Sequence, residues 1–461
     1  MAKAQKTKRN GKKKAEPPTC ILLCGGASSR FAPLTDKPTF KFCGKTLVEW
    51  QLDAIAKAGV GDTIVVASPA NEQRIRDAVQ RAGVNAKITV QKEPKGQGDA
   101  VLAGLQAAKF NSPVYITSAH EVVEPELHGM VLAEFQKGAD GVIAAYRVKE
   151  YLPGGYLKLK NGKIEGIKEK PGKGAEPSDV VNMVFHSIKP SSKLSYLLKR
   201  HYSNRRVTTD DHYELALDDM FKEYEFKPAK YTGEWKPLKY PWHVLDVMQF
   251  FLSRQKPRIS PKAQVSSKAV VEGAVVIEDG ARVLENAVIR GPTYVGKNAV
   301  IGNGSLVLNS HVGEGSVVGF ASEVTRSYIG DKCWLHNNYV GDSIVEDNVM
   351  LTYGAGTTNL RFDEAQINVN VKGEAVNTGR IKLGAIIGSG ARIGSRATLG
   401  PGVKVGRNSW VAPHAFVNQD IPDNSYAEPN GAGSLSVKQN TSRQGTGRAL
   451  GLGMRAPEKV K

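Results

Sequence analysis

The sequence predicts an α/β domain on a mostly parallel sheet, followed by a solenoid of short stacked strands. Between about residues 19 and 254, apolar strands alternate with helix-like stretches, and from about residue 260 an aliphatic residue recurs every six positions. Glycine is abundant, 48 in 461 residues, but lacks the strict three-residue period of collagen, which points to tight backbone corners. A chain of this length exceeds one typical domain of roughly 100–200 residues, so at least two domains are expected.

The alternation begins with TCILLC followed by LVEWQLDAIAKAG, then DTIVVAS with EQRIRDAVQRAG and KITVQ with DAVLAGLQAAKF, and it continues in PVYITS and GVIAAYRV. Repeated strand-then-helix units imply parallel strands with helices on both faces, and ligands in such sheets bind beyond the carboxyl ends of the strands. After PRISPKAQ the six-residue period takes over at Ile277, Val283, Ile289, Val295, Ile301 and Val307. It slips by one residue, resumes at Val312, Val318 and Val324, and returns at Ile387, Ile393, Leu399, Val405, Val411 and Val417. A fixed period on this scale means stacked turns that share a continuous core. The expected divisions are a basic tail at 1–18, the α/β domain at 19–254, the solenoid at 262–428 and a second basic tail at 429–461.

Much of the formal charge of +18 sits in those tails, which are poor in large apolar residues and read as disordered. Solvated tails are the expectation, with nucleic acid attracted only through them. The four cysteines, Cys20, Cys24, Cys43 and Cys333, form neither a metal spacing nor a disulfide scaffold, which fits a reducing cytoplasm. No secretory leader and no apolar run of about 18 residues is present, so membrane insertion is not expected.

The stretch LCGGASSRFAPLTDKPTFKFCGK carries the first chemistry. Gly25 and Gly26 end the first strand, where bare backbone can approach a ligand and successive amides can cup an anion. Arg30 and Lys37 add two cations suited to phosphates and to an in-line transition state. A nucleoside triphosphate is the natural guest, and an ordinary glycine turn with surface cations is the plainer alternative.

This stretch resembles the signature of the sugar-1-phosphate nucleotidyltransferases, with Arg30 in the arginine slot and Lys37 seven residues before Gly44-Lys45. The resemblance implies a Rossmann-like nucleotidyltransferase domain and carries further segments with it in order. QKEPKGQGDAVLAGL resembles the base-recognising segment, giving Gln91 and Gly96 as nucleotide contacts beside Leu23, Gly25 and Gly26. GGYLKL resembles the sugar loop, with Gly155; EKP supplies Glu169 and Lys170, and VVNMVF supplies Asn182.

The same resemblance implies magnesium held by two acids, and here the sequence departs from it. The aspartate expected after PVYITS is replaced within AHEVVE by His120 or Glu121, depending on register. Glu121 is the expected ligand, because magnesium prefers oxygen. In KYPWHVLDV the second acid falls near His243, with Asp246 three residues on. Asp36 also stands where a proline often precedes the lysine.

The solenoid resembles the hexapeptide left-handed parallel β-helix, whose members commonly form homotrimers, and in particular the acetyltransferase half of bifunctional uridylyltransferase/acetyltransferases. LHNNYVGDS then makes His336 the candidate general base, a task that suits histidine, and Tyr339 a substrate contact. GAGTTNLRFDE supplies Asn359, and Ser395 in IGSRATLGP is a contact for acetyl-CoA as co-substrate. Met350 stands where an asparagine is usual, and Arg326 is positioned to replace a lysine absent from VTRSYI.

Three functions remain open at this point. The first joins UTP or dTTP to a sugar-1-phosphate, with N-acetylglucosamine-1-phosphate expected, and the solenoid adding acetyl transfer. The second keeps nucleotidyl transfer alone over a trimerising solenoid. The third is a non-catalytic relative similar to the nucleotidyltransferase-like subunits of the eukaryotic translation-initiation exchange factor.

Overall fold

The computed structural model describes residues 17–26, 28–93, 95–203, 211–431 and 434–441, so most of the two basic tails lies outside the described residues. The chain divides into two compact units, passing from one to the other after Arg254.

The first unit is built on a nine-stranded sheet. Thr19–Leu23 lies between Thr63–Ala67 and Val114–Ser118, and Ala86–Val90 follows Thr63–Ala67 outward, all in parallel register. Cys20 and Leu22 pack into one core and Ile21 and Leu23 into another, so the first strand is buried on both faces. That is why TCILLC reads as an unbroken apolar run.

The sheet is mixed rather than mostly parallel. Val180–Ile188 runs antiparallel to both Val114–Ser118 and Gly141–Arg147, and Gly155–Lys160 forms a hairpin with Lys163–Glu169. The turn is Asn161-Gly162, with φ of 50° and 74°, the left-handed pair that closes a two-residue hairpin. This asparagine-glycine signal lies in the sequence, but the strand-helix alternation overshadowed it.

Helix Leu47–Lys57 begins at a capping box: Glu49 N donates to Thr46 Oγ1 at 3.3 Å and Thr46 N donates to Glu49 Oε2 at 2.9 Å. Such caps contribute about 1 kcal/mol and here fix where the lysine loop hands over to the helix.

The second unit is a hexapeptide β-helix. Strands, mostly of two or three residues, stack in three sheets of eight, ten and eight strands, parallel except for the hairpin that ends the ten-stranded one. Val283 pairs with Ile301 eighteen residues on, Ile301 with Val318 seventeen on, and Leu335 with Leu351 sixteen on. Three six-residue sides make one eighteen-residue coil, and the phase slip in the sequence is the shortening of later coils. The inward aliphatics are fully buried in one continuous core.

Glycine follows the aliphatic because coils stack closely: a Cβ on Gly319 would stand 2.1 Å from the His336 carbonyl oxygen. A longer insertion carrying the antiparallel hairpin Asn368–Val371 and Glu374–Asn377 interrupts the stack before Ile386–Ile387. The stack ends in the hairpin Ser425–Pro429 with Leu435–Gln439, so regular structure reaches into the stretch expected to be a tail from residue 429. The alternating side chains of LSVKQ give that strand a face to pair, which a reading by charge alone passes over.

Candidate active sites

At the end of the first strand Cys24 N donates to the Val66 carbonyl at 2.8 Å, and the chain then leaves the sheet through Gly25 and Gly26. Gly26 has φ of 110°, and a Cβ on Gly25 would meet Gln91 Oε1 at 2.8 Å. Gln91 is buried; its Nε2 donates to the Gly96 carbonyl at 3.0 Å and to Asp99 Oδ2 at 2.9 Å. The amide hydrogens are thus spent on the loop, and the oxygen is the atom turned to Gly25. Gly96, at φ of 94°, opens helix Gln97–Ala107. Leu23 is the last residue of its strand and is buried.

Arg30 lies exposed on the short helix Ser29–Phe31. Lys37 is half-buried, its ammonium 5.7 Å from the centre of the Phe31 ring. Burial, with Arg30 and Lys239 adding to it, pulls the Lys37 ammonium down to about 8, against the opposing charges of Glu121 and Asp36. The neighbouring Asp36 is itself buried, accepting from Asn71 Nδ2 at 3.0 Å and Thr39 Oγ1 at 3.0 Å, and burial holds its carboxyl above the usual range. Asn71 Nδ2 also donates to the Cys24 carbonyl at 2.8 Å. Asp36 and Asn71 therefore tie the lysine loop to the end of the first strand. Sequence reasoning noted Asp36 only as a departure, and nothing local marked Asn71 as its partner.

Beyond the cations, Gly155, Glu169 and Asn182 meet. Gly155 pairs with Glu169 across the hairpin, and a Cβ on Gly155 would lie 3.3 Å from both Glu169 Oε2 and Asn182 Nδ2. Lys170, at φ of 41°, bonds Glu169 Oε1 at 2.8 Å; burial opposes its charge, but Glu169 holds the ammonium above its usual value. His186 Nε2 lies 2.7 Å from Asn182 Oδ1, and its Nδ1 lies 2.7 Å from the Tyr213 hydroxyl. Burial keeps His186 neutral, pushed down to about 3, so Nε2 donates to Asn182 while Nδ1 accepts from Tyr213. That leaves the Asn182 amide hydrogens facing the cradle.

The two residues expected to hold magnesium do not fit a magnesium site. Glu121 is buried, and its Oε2 accepts from Trp235 Nε1 at 2.5 Å. The cations bearing on it are Lys239 and Lys37, and burial nonetheless lifts its carboxyl above the usual range. Asp246 lies in the first turn of helix His243–Leu252, and it is not among the charges that bear most on Lys37 or Lys239. Among the described residues no group of three His, Cys, Asp or Glu side chains is placed to hold a metal ion. Magnesium at a phosphate site needs one or two available carboxylates, and a dication here would also meet cations already in place.

In the second unit His336 is exposed, with its ring 5.9 Å from that of Trp334. On the neighbouring sheet Tyr339, and just past the strand Gly356–Thr357 Asn359, approach the spot where Gly341 lacks a side chain: a Cβ there would lie 2.5 Å from the Tyr339 hydroxyl and 2.8 Å from Asn359 Nδ2. Asp342 accepts from Asn359 Nδ2 at 2.5 Å and from Arg326 Nε and an Nη at 2.7 Å each. Arg326 is thereby committed to Asp342. Ser395 Oγ bonds Thr352 Oγ1 at 3.2 Å, and Thr352 lines a cavity of about 640 Å³ with Arg392, Trp410, Tyr426 and Lys438. The last four went unnoticed in the sequence because they come together only when coils stack.

A glycine turn facing converging cations, with a cradle of carboxylate and amide beyond them, is equipment for nucleotidyl transfer. The nucleotidyl transferase family pattern matches residues 19–239, and the bacterial transferase hexapeptide pattern of six repeats matches residues 274–309. The chain is 31% identical over 416 residues to the bifunctional sugar-1-phosphate nucleotidylyltransferase/acetyltransferase of Sulfurisphaera tokodaii, covering 87% of this chain and 97% of that one. It is 29% identical over 430 residues to the bifunctional protein GlmU of Methanocaldococcus jannaschii, covering 88% and 96%. The chain belongs to the family of bifunctional sugar-1-phosphate nucleotidyltransferase/acetyltransferases, and it is an enzyme rather than the regulatory relative. Among the described residues no helix is long and apolar enough to cross a membrane.

Proposed function

We propose that the first unit joins UTP or dTTP to N-acetylglucosamine-1-phosphate, and that the solenoid acetylates glucosamine-1-phosphate with acetyl-CoA. One observation carries the first half. The charge of Arg30, beside the glycine turn, reaches both Lys37 and Lys170, and Lys170 is bonded to Glu169 of the Gly155–Asn182 cradle, which supports a triphosphate and a sugar phosphate bound next to one another.

In the reaction, a phosphate oxygen of the sugar-1-phosphate bonds to the α-phosphorus. The α–β phosphoanhydride bond breaks, and pyrophosphate leaves with the electron pair. Gly25 and Gly26 let backbone approach the triphosphate, and Arg30 and Lys37 neutralise charge as the phosphorus becomes five-coordinate. Glu169 and Asn182 hold sugar hydroxyls, and Lys170 meets the sugar phosphate. Positioning and charge dominate, with no protein nucleophile. Gln91 Oε1 suits uracil and thymine alike, since their hydrogen-bonding edges match and one methyl discriminates by only about 1–3 kcal/mol.

For acetyl transfer, His336 takes the proton from the attacking amine, while Tyr339 and Asn359 orient the sugar phosphate. The cavity beside Ser395 offers Trp410 and Tyr426 to the adenine of acetyl-CoA and Arg392 and Lys438 to its phosphates. A homotrimer in the cytoplasm completes the reading, supported by the hexapeptide architecture and by the free cysteines. The test is pyrophosphate release across UTP, dTTP, GTP, ATP and CTP against glucose-, glucosamine-, N-acetylglucosamine-, galactose- and mannose-1-phosphates. A selected pair that is lost in Lys37→Ala supports the reading. Silence across the whole matrix in folded protein overturns it.

A further inference from the structure

The segments in which metal-binding acids are expected do something else here. His120 and His243 occupy them, and both segments grip the same piece of backbone. Leu238 N donates to the His120 carbonyl at 2.9 Å, while His243 Nδ1 lies 2.8 Å from the Pro237 carbonyl. Between these anchors and the helix His243–Leu252 comes Lys239. Its ammonium reaches the sugar loop, donating to the Pro153 carbonyl at 2.9 Å, two residues before Gly155.

Lys239 is half-buried, and the carboxylates bearing on it are Glu121, from the strand Glu121–Val123, and Glu169, from the cradle. The cations bearing on it are Arg30 and Lys170. Lys239 thus feels both Arg30, beside the glycine turn, and Glu169 and Lys170, beside Gly155, while its ammonium is held at the sugar loop. Both of these carboxylates already have partners: one Glu121 oxygen accepts from Trp235 Nε1 at 2.5 Å, and Glu169 is bonded to Lys170 at 2.8 Å.

Resting on the nucleotidyltransferase reading above, we propose that the ammonium of Lys239, rather than a divalent cation, supplies the bridging positive charge between triphosphate and sugar phosphate, so that this site works without a bound metal. A lysine can take this place because the transfer needs charge neutralisation and orientation from it, not a nucleophile or a base. The bond made and the bond broken are those already described, and no proton has to move through Lys239. The hydrogen bond to the Pro153 carbonyl, with the charge of Glu121 bearing on the amine, holds it in place before substrate arrives.

The test is calorimetric titration of UTP, and separately dTTP, into the full chain in excess EDTA and in excess magnesium, with pyrophosphate release followed in parallel. Wild-type affinity in EDTA is expected to lie within about threefold of that in magnesium, whereas Lys239→Met weakens metal-free binding by about tenfold or more. Lys239→Arg, which keeps the charge, should retain most of the binding and certifies that the position tolerates substitution. Binding or turnover that requires magnesium in the wild type overturns the proposal while leaving the nucleotidyltransferase reading intact. So does a folded Lys239→Met chain that binds metal-free UTP as the wild type does. No triphosphate bound and no pyrophosphate released under either condition overturns both.

Discussion

The two units solve the problem of order in opposite ways. In the α/β unit the site draws on residues far apart in sequence: Asn71 reaches Asp36, Trp235 reaches Glu121, and Lys239 reaches Pro153. In the solenoid each coil answers chiefly to the next. Ser310, Ser327 and Ser343 form a ladder, in which Ser327 N donates to Ser310 Oγ at 3.0 Å and Ser343 N to Ser327 Oγ at 3.0 Å. Nearest-neighbour architecture makes stability a sum over coils, so damage should stay local, whereas the first unit concentrates its charges where any loss is felt in chemistry. The difference teaches that one protein can keep a tolerant scaffold beside an exacting site.

Three substitutions and one pH titration test this contrast, in order of decreasing effect. Lys37→Ala should lower kcat/KM for pyrophosphate release by about 10²–10³, with acetyl transfer unchanged; parallel assays of one preparation read both. Reciprocally, His336→Ala should lower acetyl transfer by about 10² or more and spare pyrophosphate release. Coupled losses in either variant would end the picture of separable sites. Leu335→Ala removes a fully buried side chain from the solenoid core and should cost about 2–5 kcal/mol in the unfolding of that unit, read by denaturant titration, while pyrophosphate release persists.

The smallest effect is a pH dependence. Lys37 acts as a cation, and its ammonium is pulled down to about 8 by burial and by Arg30 and Lys239, so kcat/KM should fall as pH rises above about 8. Stability should move the other way through the same group. Its folded value lies below the ordinary lysine value of 10.5, so between about 8 and that value the unfolded chain binds more protons and raising the pH favours the fold. A flat profile across that window would mean that Lys37 is better solvated than its burial implies.

Much of the architecture was legible. TCILLC, buried on both faces, announces a central strand, and an aliphatic every sixth residue announces coils whose inward positions are fully buried. Gly155, Glu169 and Asn182 read as a sugar cradle and meet in space. Less legible were the antiparallel hairpin through Asn161-Gly162 and the strand Leu435–Gln439, both short features masked by stronger neighbouring patterns.

Where one period ends and the other begins, which residues face inward, and which cations accompany the glycine turn are all written in the order of residues along the chain. Those properties depend on residues close along the chain, and spacing records them. The three-dimensional fold alone tethers Asp36 to Asn71, engages Glu121 with Trp235, and brings the Lys239 ammonium to the Pro153 carbonyl. These depend on strand order and on charge interactions through a desolvated interior, where distance in space sets the energy and distance in sequence does not.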